Sequence, residues 1–157
     1  MILGKKVRLR PTKAQELNMW KSVGTARWVY NWTLARQQEN YKQGNKFISD
    51  NDLRKEITEM KQLDDFKWLY NVSNNVAKQA VKDACIAYTK FFQGKSKFPR
   101  FKSRKRSKSS FYNDMGKLKV TPNKRVLIEK VGWMQASEQI PVGVKYCNPR
   151  VSFDGKY

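Results

Sequence analysis

The pattern of hydrophobic and polar residues near the N-terminus predicts a strand followed by a helix. Polar and apolar residues alternate over residues 5–10, the period of a half-buried strand. Pro11 ends this strand, and Thr12 and Gln15 have the spacing of a helix capping box, so a helix is predicted to begin there. We expect Gly24 to interrupt it. Its predicted inner stripe is Leu17, Trp20 and Val23.

Three further helices are predicted where apolar residues recur every three or four positions. The first covers residues 25–43 and ends at Gly44, and the second begins near Ser49 or Asp50 and ends before an acidic loop at Asp64 and Asp65. The third begins near Ser73 and ends at Gly94. Residues 12–94 are therefore predicted to form a helical bundle. The expected buried positions are Ala26, Val29, Tyr30, Thr33, Leu34, Gln37 and Tyr41, then Leu53, Ile57 and Met60, then Val76, Ala80, Ala84, Ala87, Tyr88 and Phe91.

The last third of the chain has the short apolar runs of β-structure. Residues 117–120 and 126–128 flank a turn-rich connection, which predicts a hairpin. Two more strands are predicted at residues 139–146 and 148–153. The expected fold class is α+β, with the helical bundle inserted after the first strand of a small antiparallel β-sheet or partial barrel. The predicted parts are a first strand in 1–11, the bundle in 12–94, and a basic stretch with the rest of the β-domain in 95–157.

Asp154-Gly155 near the C-terminus is a strong signal for a two-residue hairpin turn. Lys156 and Tyr157 would begin the returning strand. A strand that is entered and not completed leaves an open edge, so we expect this chain to be the front part of a longer protein.

Charge adds a function class to this fold. The chain has 33 Lys and Arg against 13 Asp and Glu, a net charge of +20, which is typical of nucleic-acid binders. The stretch from residue 95 to residue 108, here called the basic segment, has eight cations and no carboxylate, and phosphates are the expected partner. The alternative is a solvated linker. The phosphate-binding residues predicted in the basic segment are Lys95, Lys97, Arg100, Lys102, Arg104, Lys105, Arg106 and Lys108. Phe98 and Phe101 flank Pro99 and are expected to pin the basic segment to the folded body.

Other features of the composition exclude several kinds of chemistry. The absence of histidine excludes imidazole-based catalysis, and two distant cysteines, Cys85 and Cys147, cannot form a four-ligand zinc site. No cofactor, metal or small-molecule substrate is predicted. Without a signal peptide or an apolar span, the expected location is the cytoplasm, with no membrane partner.

Four motifs together resemble a known family. Residues 7–12 (VRLRPT), 24–32 (GTARWVYNW), 87–92 (AYTKFF) and 98–102 (FPRFK) resemble, in order and spacing, the N-terminal third of the OrfB/TnpB proteins of insertion sequences. These proteins are related to type V CRISPR effectors. The resemblance implies a wedge-like β-domain interrupted by a helical recognition domain, which binds a guide RNA and reads a short DNA motif. It also implies that the RuvC-like nuclease carboxylates lie beyond residue 157, so that this chain is not itself an enzyme.

The resemblance further implies which residues read DNA, at the starts of the last two helices and after the basic segment. Asn74 and Asn75 are alternatively helix-start residues. Arg27, Tyr30 and Asn31 are interpreted as helix-packing residues, and Asp64 and Asp65 as structural acids. The implied DNA-binding residues are Asp50, Arg54, Asn74, Asn75, Lys78, Tyr112 and Asn113.

Three functional hypotheses follow. The leading one is a nucleic-acid-binding fragment, with DNA and a guide-type RNA as partners, of a transposon-encoded RNA-guided endonuclease associated with the nucleoid. The second is a full-length metal-dependent endonuclease, if the gene continues past residue 157. The third is a basic structural RNA-binding protein, which the bundle-like patterning of residues 12–94 disfavours.

Overall fold

A single long helix, α1 (Lys13–Lys42), organises the molecule in the computed structural model, which describes residues 3–155. The predicted capping box starts it: the Gln15 backbone N–H donates to Thr12 Oγ1 (3.2 Å), and the Thr12 N–H donates to Gln15 Oε1 (2.9 Å). Gly24 lies inside this helix, so the prediction of an interruption is wrong. One helical glycine costs only about 1 kcal/mol relative to alanine, and tertiary packing along α1 outweighs that cost.

The inner stripe of α1 is rotated from the predicted one. Met19, Val23 and Ala26 face the sheet, whereas Leu17 and Trp20 are 58% and 39% exposed. Spacings of four and three place Met19, Val23 and Ala26 on one face of a helix, and this face leaves the neighbouring stripe in solvent. Farther along, Val29, Thr33, Leu34 and Gln37 are buried as predicted, and Tyr41 is 75% exposed, contrary to prediction.

The remaining helices start where their capping residues predict. Helix α2 (Asp50–Met60) has Ser49 at its N-cap, and helix α3 (Asn74–Phe92) has Ser73 there. The stretch between them was predicted as an acidic loop but forms a 3-10 helix, Asp64–Asn71, which buries Leu69. Gly94 follows α3 with a φ of +73°, a left-handed conformation that glycine adopts without strain.

Within residues 3–155, six short strands form two antiparallel sheets. The larger sheet has the order β1-β5-β4-β3, with Leu9 of β1 opposite Ala136 of β5, and the smaller sheet pairs β2 with β6. The strands are β1 (Leu9–Arg10), β2 (Ser110–Tyr112), β3 (Lys119–Val120), β4 (Arg125–Ile128), β5 (Gly132–Ala136) and β6 (Arg150–Ser152).

The strand predictions were right for the hairpin of β3 and β4, for β6, and for the presence of an N-terminal strand, which joins the larger sheet as β1. The predicted strand over residues 5–10 is reduced to two residues. Residues 139–146 form no strand; instead the Gln139 side chain binds the hairpin connection, donating to the Thr121 carbonyl (2.7 Å) and accepting from the Lys124 N–H (3.0 Å). The predicted return strand at 156–157 lies outside the described residues.

The apolar residues form two main cores that α1 and α3 share. The first core lies between the helices, around Val29, Leu53, Leu69 and Val81. The second joins the helices to the larger sheet, and its buried members are Val23, Val72, Val76, Phe111, Val126, Ile128 and Met134. The predicted α+β class is confirmed, and the sheets of the described residues are open and form no closed barrel.

Candidate nucleic-acid interface

Asn31 of α1 fastens the basic segment to the helices. Its Nδ2 donates to the Lys102 carbonyl (2.9 Å), and its Oδ1 accepts from the Lys102 N–H (2.7 Å). These two bonds satisfy both backbone polar groups of one residue in the middle of the segment. Asn31 was interpreted as a helix-packing residue, and the structure shows it to be the clamp for this segment.

The aromatic residues of the basic segment behave differently from one another. The Phe98 ring packs edge-on against Phe91 and Tyr88 of α3, with ring centroids 5.1 Å and 5.6 Å apart, and Pro99 is buried. Phe101 remains 54% exposed. The segment is therefore docked on the bundle, as predicted, through Phe98, Pro99 and Asn31 rather than through both phenylalanines.

Lys102 is turned inward while its neighbours point outward. Its ammonium lies 4.2 Å from the centroid of the Tyr30 ring, a cation–π contact, and burial lowers the pKa of Lys102. Burial also raises the pKa of Tyr30, with a smaller contribution from the charge of Asp83. Asp83 in turn accepts two hydrogen bonds from Arg150 of β6, at 2.9 and 3.1 Å. Lys102 thus packs against α1, and its role in phosphate binding stays a prediction.

A serine-closed turn presents the next cations to solvent. The Ser103 N–H donates to Ser107 Oγ (3.0 Å), and the Arg106 N–H donates to Ser103 Oγ (3.1 Å). Arg104, Lys105 and Arg106 stand on this turn and are exposed. The remaining predicted cations Lys95, Lys97, Arg100 and Lys108 are exposed as well. Fixed backbone with free cationic side chains is suited to following a phosphate chain.

A groove of about 450 Å³ lies between α2 and α3. Its floor includes Ile57 and Ala77, and its walls have three cations, two asparagines and a threonine, with no carboxylate among the lining residues. Three residues predicted from two separate stretches of the sequence, Arg54, Asn74 and Lys78, meet here. The other polar lining residues are Asn51, Lys55 and Thr58, which were not predicted.

The polar groups of the groove are only partly satisfied within the protein. Arg54 donates to the Asn51 side chain and lies 4.0 Å from the Asp50 carboxylate, yet its Nε is buried and has no hydrogen-bond partner among residues 3–155. Asn74 Oδ1 accepts from the Lys61 ammonium (2.7 Å). Burial, with a smaller contribution from Lys130, lowers the pKa of Lys61. Asp50 does not line the groove, and its carboxylate lies beside Arg54 from outside.

The other three predicted DNA contacts lie apart from this groove. Asn75 Nδ2 donates to Glu129 (3.1 Å), and the Tyr112 ring lies beneath the Arg150 guanidinium at 5.9 Å. Asn113 is buried, with its Oδ1 accepting from the Glu129 N–H (3.0 Å) and its Nδ2 donating to the Asp114 carbonyl (3.2 Å). The structure thus uses the Asn113 side chain within the fold, which removes it from the surface that a base edge could reach.

Residues 3–155 contain neither a membrane-spanning helix nor a cluster of metal-ligating side chains. None of the described helices is long and apolar enough to cross a membrane. Within the same residues, no group of three or more acidic or cysteine side chains is arranged to hold a metal ion.

The chain is similar to a known domain family and to two larger proteins. Residues 1–46 match the family model of the OrfB_IS605 helix-turn-helix domain; in this structure those residues include β1 and the unbroken helix α1. The chain is 36% identical over 130 residues to an Escherichia coli (strain K12) protein named "Putative RNA-guided DNA endonuclease InsQ". This match covers 83% of this chain and 32% of that protein. The chain is 31% identical over 105 residues to a Streptomyces pristinaespiralis "Putative RNA-guided DNA endonuclease", covering 67% of this chain and 26% of that protein.

These matches confirm the resemblance predicted from the four sequence motifs. The chain carries the helix-turn-helix domain of an insertion-sequence family, and over most of its length it is similar to OrfB/TnpB proteins. It spans about a third of the length of the Escherichia coli relative and about a quarter of the Streptomyces relative.

Proposed function

We propose that this chain binds DNA, with the groove between α2 and α3 reading a short duplex motif and the basic segment holding phosphates. The observation that carries the proposal is the meeting of Arg54, Asn74 and Lys78 in one groove without a carboxylate. Arginine and lysine suit guanine edges and phosphates, and asparagine suits the edge of adenine.

The unpaired Nε of Arg54 supports a ligand in this groove. A buried donor without a partner costs about 1–3 kcal/mol, and a bound base or phosphate that draws the Arg54 side chain into the groove would recover that cost. Lys78 and Lys55, one on each helix, would then lie on either side of the ligand.

The basic segment supplies the sequence-independent part of the proposed affinity. Its docked backbone requires little ordering on binding, because Asn31 and Phe98 already fix its path. We further propose that a guide-type RNA shares this segment, as the names of the relatives suggest. The proposal for this chain is limited to binding, as the front part of a larger insertion-sequence nuclease that acts at the nucleoid.

Binding assays on two classes of variant test the proposal. A duplex motif is first selected from a random-sequence pool with the parent chain, and affinities are then measured by fluorescence anisotropy across a range of salt. Asn74→Ala and Arg54→Ala should lose about 1–3 kcal/mol of preference for the selected motif, or about 5- to 150-fold, and keep their affinity for unrelated duplex.

Replacing Arg104, Lys105 and Arg106 together by glutamine should weaken binding to every sequence. Three lost phosphate contacts lower the magnitude of the slope of log affinity against log salt by about 2.7, so the ratio of parent affinity to variant affinity should shrink about 40-fold between 50 and 200 mM salt. Glutamine at three exposed lysines elsewhere, Lys117, Lys119 and Lys145, is the charge-matched control. Equal losses from the two triple variants would mean that net charge, and not the basic segment, holds the phosphates.

A further inference from the structure

Five aromatic rings cluster where the C-terminal end of α3 meets the loop after α1. Tyr88 lies at the centre, with Phe47, Phe92 and Phe98 around it at centroid distances of 6.4, 6.2 and 5.6 Å. Phe91 completes the cluster by contacting Phe92 (5.6 Å) and Phe98 (5.1 Å). We call the three outer rings, Phe47, Phe92 and Phe98, the aromatic patch.

The aromatic patch is rigid and exposed at the same time. Tyr88 is 4% exposed, and its hydroxyl donates to the Leu34 carbonyl (3.3 Å), which anchors the base of the cluster. Phe92 is 61% exposed, Phe98 48% and Phe47 45%. Three adjacent phenylalanines this accessible are unusual for a protein surface, and a grouped apolar patch of this kind marks a binding site.

The charge around the aromatic patch identifies the kind of ligand. The two stretches that carry its rings, residues 41–47 and 88–98, contain five lysines and no carboxylate. All five lysines are exposed. Such a rim suits a strand of nucleic acid, which offers flat base faces for the rings and phosphates for the lysines. The lysines are Lys42, Lys46, Lys90, Lys95 and Lys97.

We propose that the aromatic patch binds single-stranded nucleic acid by stacking bases on Phe92 and its neighbours, with the five lysines contacting the phosphates. The inference rests on the proposed nucleic-acid binding and adds a second, chemically different surface to it. A duplex keeps its base faces stacked internally, so this surface selects unpaired strands, in contrast to the groove between α2 and α3. Rings and lysines do not distinguish the sugar, so DNA and RNA strands should bind alike.

The test compares the parent chain with Phe92→Ala, and with Phe92→Trp as the conservative variant. The probes are labelled twelve-residue strands of thymidine or uridine, an abasic strand with the same phosphates, and a duplex. Phe92→Ala should bind the thymidine and uridine strands about 5- to 150-fold more weakly, because stacking on one aromatic ring contributes about 1–3 kcal/mol per base. Binding of the abasic strand and the duplex should not change, the salt slope should stay the same, and Phe92→Trp should restore affinity.

Several outcomes would overturn this inference. The first is that the parent and Phe92→Ala bind the base-containing strands with equal affinity. The second is that Phe92→Ala loses as much affinity for the abasic strand as for the base-containing strands. The third is that the parent is a dimer that Phe92→Ala converts to a monomer, which would make the aromatic patch a contact between copies. Phe47→Ala is the second variant, for the case that Phe92→Ala lowers the melting temperature. If both variants bind single strands like the parent while duplex binding stays salt-dependent, only this inference fails and the proposed function stands.

Discussion

Replacing Asn31 by alanine should detach the basic segment from α1. The change removes two hydrogen bonds to the Lys102 backbone, at 2.9 and 2.7 Å, in a half-buried setting. Each such bond contributes about 0.5–1.5 kcal/mol net, so the pair contributes about 1–3 kcal/mol to the free energy of unfolding. For a domain of this size, a loss of about 2 kcal/mol lowers the melting temperature by about 4–8 °C.

Thermal unfolding followed by circular dichroism measures this loss, and limited tryptic digestion shows where it acts. The first cuts in the Asn31→Ala variant should fall within residues 95–108 and should occur several-fold faster than in the parent, because the serine-closed turn after Lys102 loses its attachment. Asn31→Asp keeps the acceptor for the Lys102 N–H and loses the donor to its carbonyl, so its effect should be intermediate.

Asn45→Ala is the matched control, since Asn45 is an exposed asparagine in the loop after α1. It should melt and be digested like the parent. An Asn31→Ala variant that melts at the parent temperature, with unchanged cleavage of the basic segment, would refute the reasoning. Phe98 and Pro99 would then be sufficient to dock the segment.

Two further predictions concern the helices and the thiols. Gly24→Ala should raise the free energy of unfolding by about 0.5–1 kcal/mol in urea denaturation, because a Cβ at Gly24 meets nothing within 4 Å and alanine costs the helix less entropy. A lower stability of the variant would indicate that α1 must bend at this position. Cys147 is exposed, whereas burial raises the pKa of Cys85 to about 11, so iodoacetamide at pH 8 should add one label to the native chain and two after denaturation, as counted by mass spectrometry. Rapid double labelling of the native chain would contradict the burial of Cys85.

The helices were the part of the fold most accessible from sequence, because their signals are local. Thr12, Ser49 and Ser73 were recognisable as capping residues, and each caps a helix in the structure. Gly24 was misinterpreted for the same reason, since the preference of one residue is visible in the sequence and the packing that overrides it is not. The buried face of α1 likewise depends on distant contacts, because Met19, Val23 and Ala26 face inward where α1 contacts the sheet.

The strands and the interface were less accessible, because they depend on contacts between distant residues. A strand of three residues, such as β2, is too short to show a period. The clamp between Asn31 and Lys102 joins residues 71 positions apart, and no local pattern marks it. Arg54 and Asn74 came from the family resemblance, while Lys61, which holds Asn74, lies in no motif.

The pairing of β1 with β5 has a consequence for how the chain is made. Leu9 pairs with Ala136, so the ribosome synthesises the whole helical bundle before the first strand can pair. The bundle relies on packing between α1 and α3, both of which are made well before Ala136, whereas closure of the sheet must gather a longer intervening stretch of chain. The emerging protein therefore passes through a stage in which the helices are folded and the N-terminal strand still has an open edge.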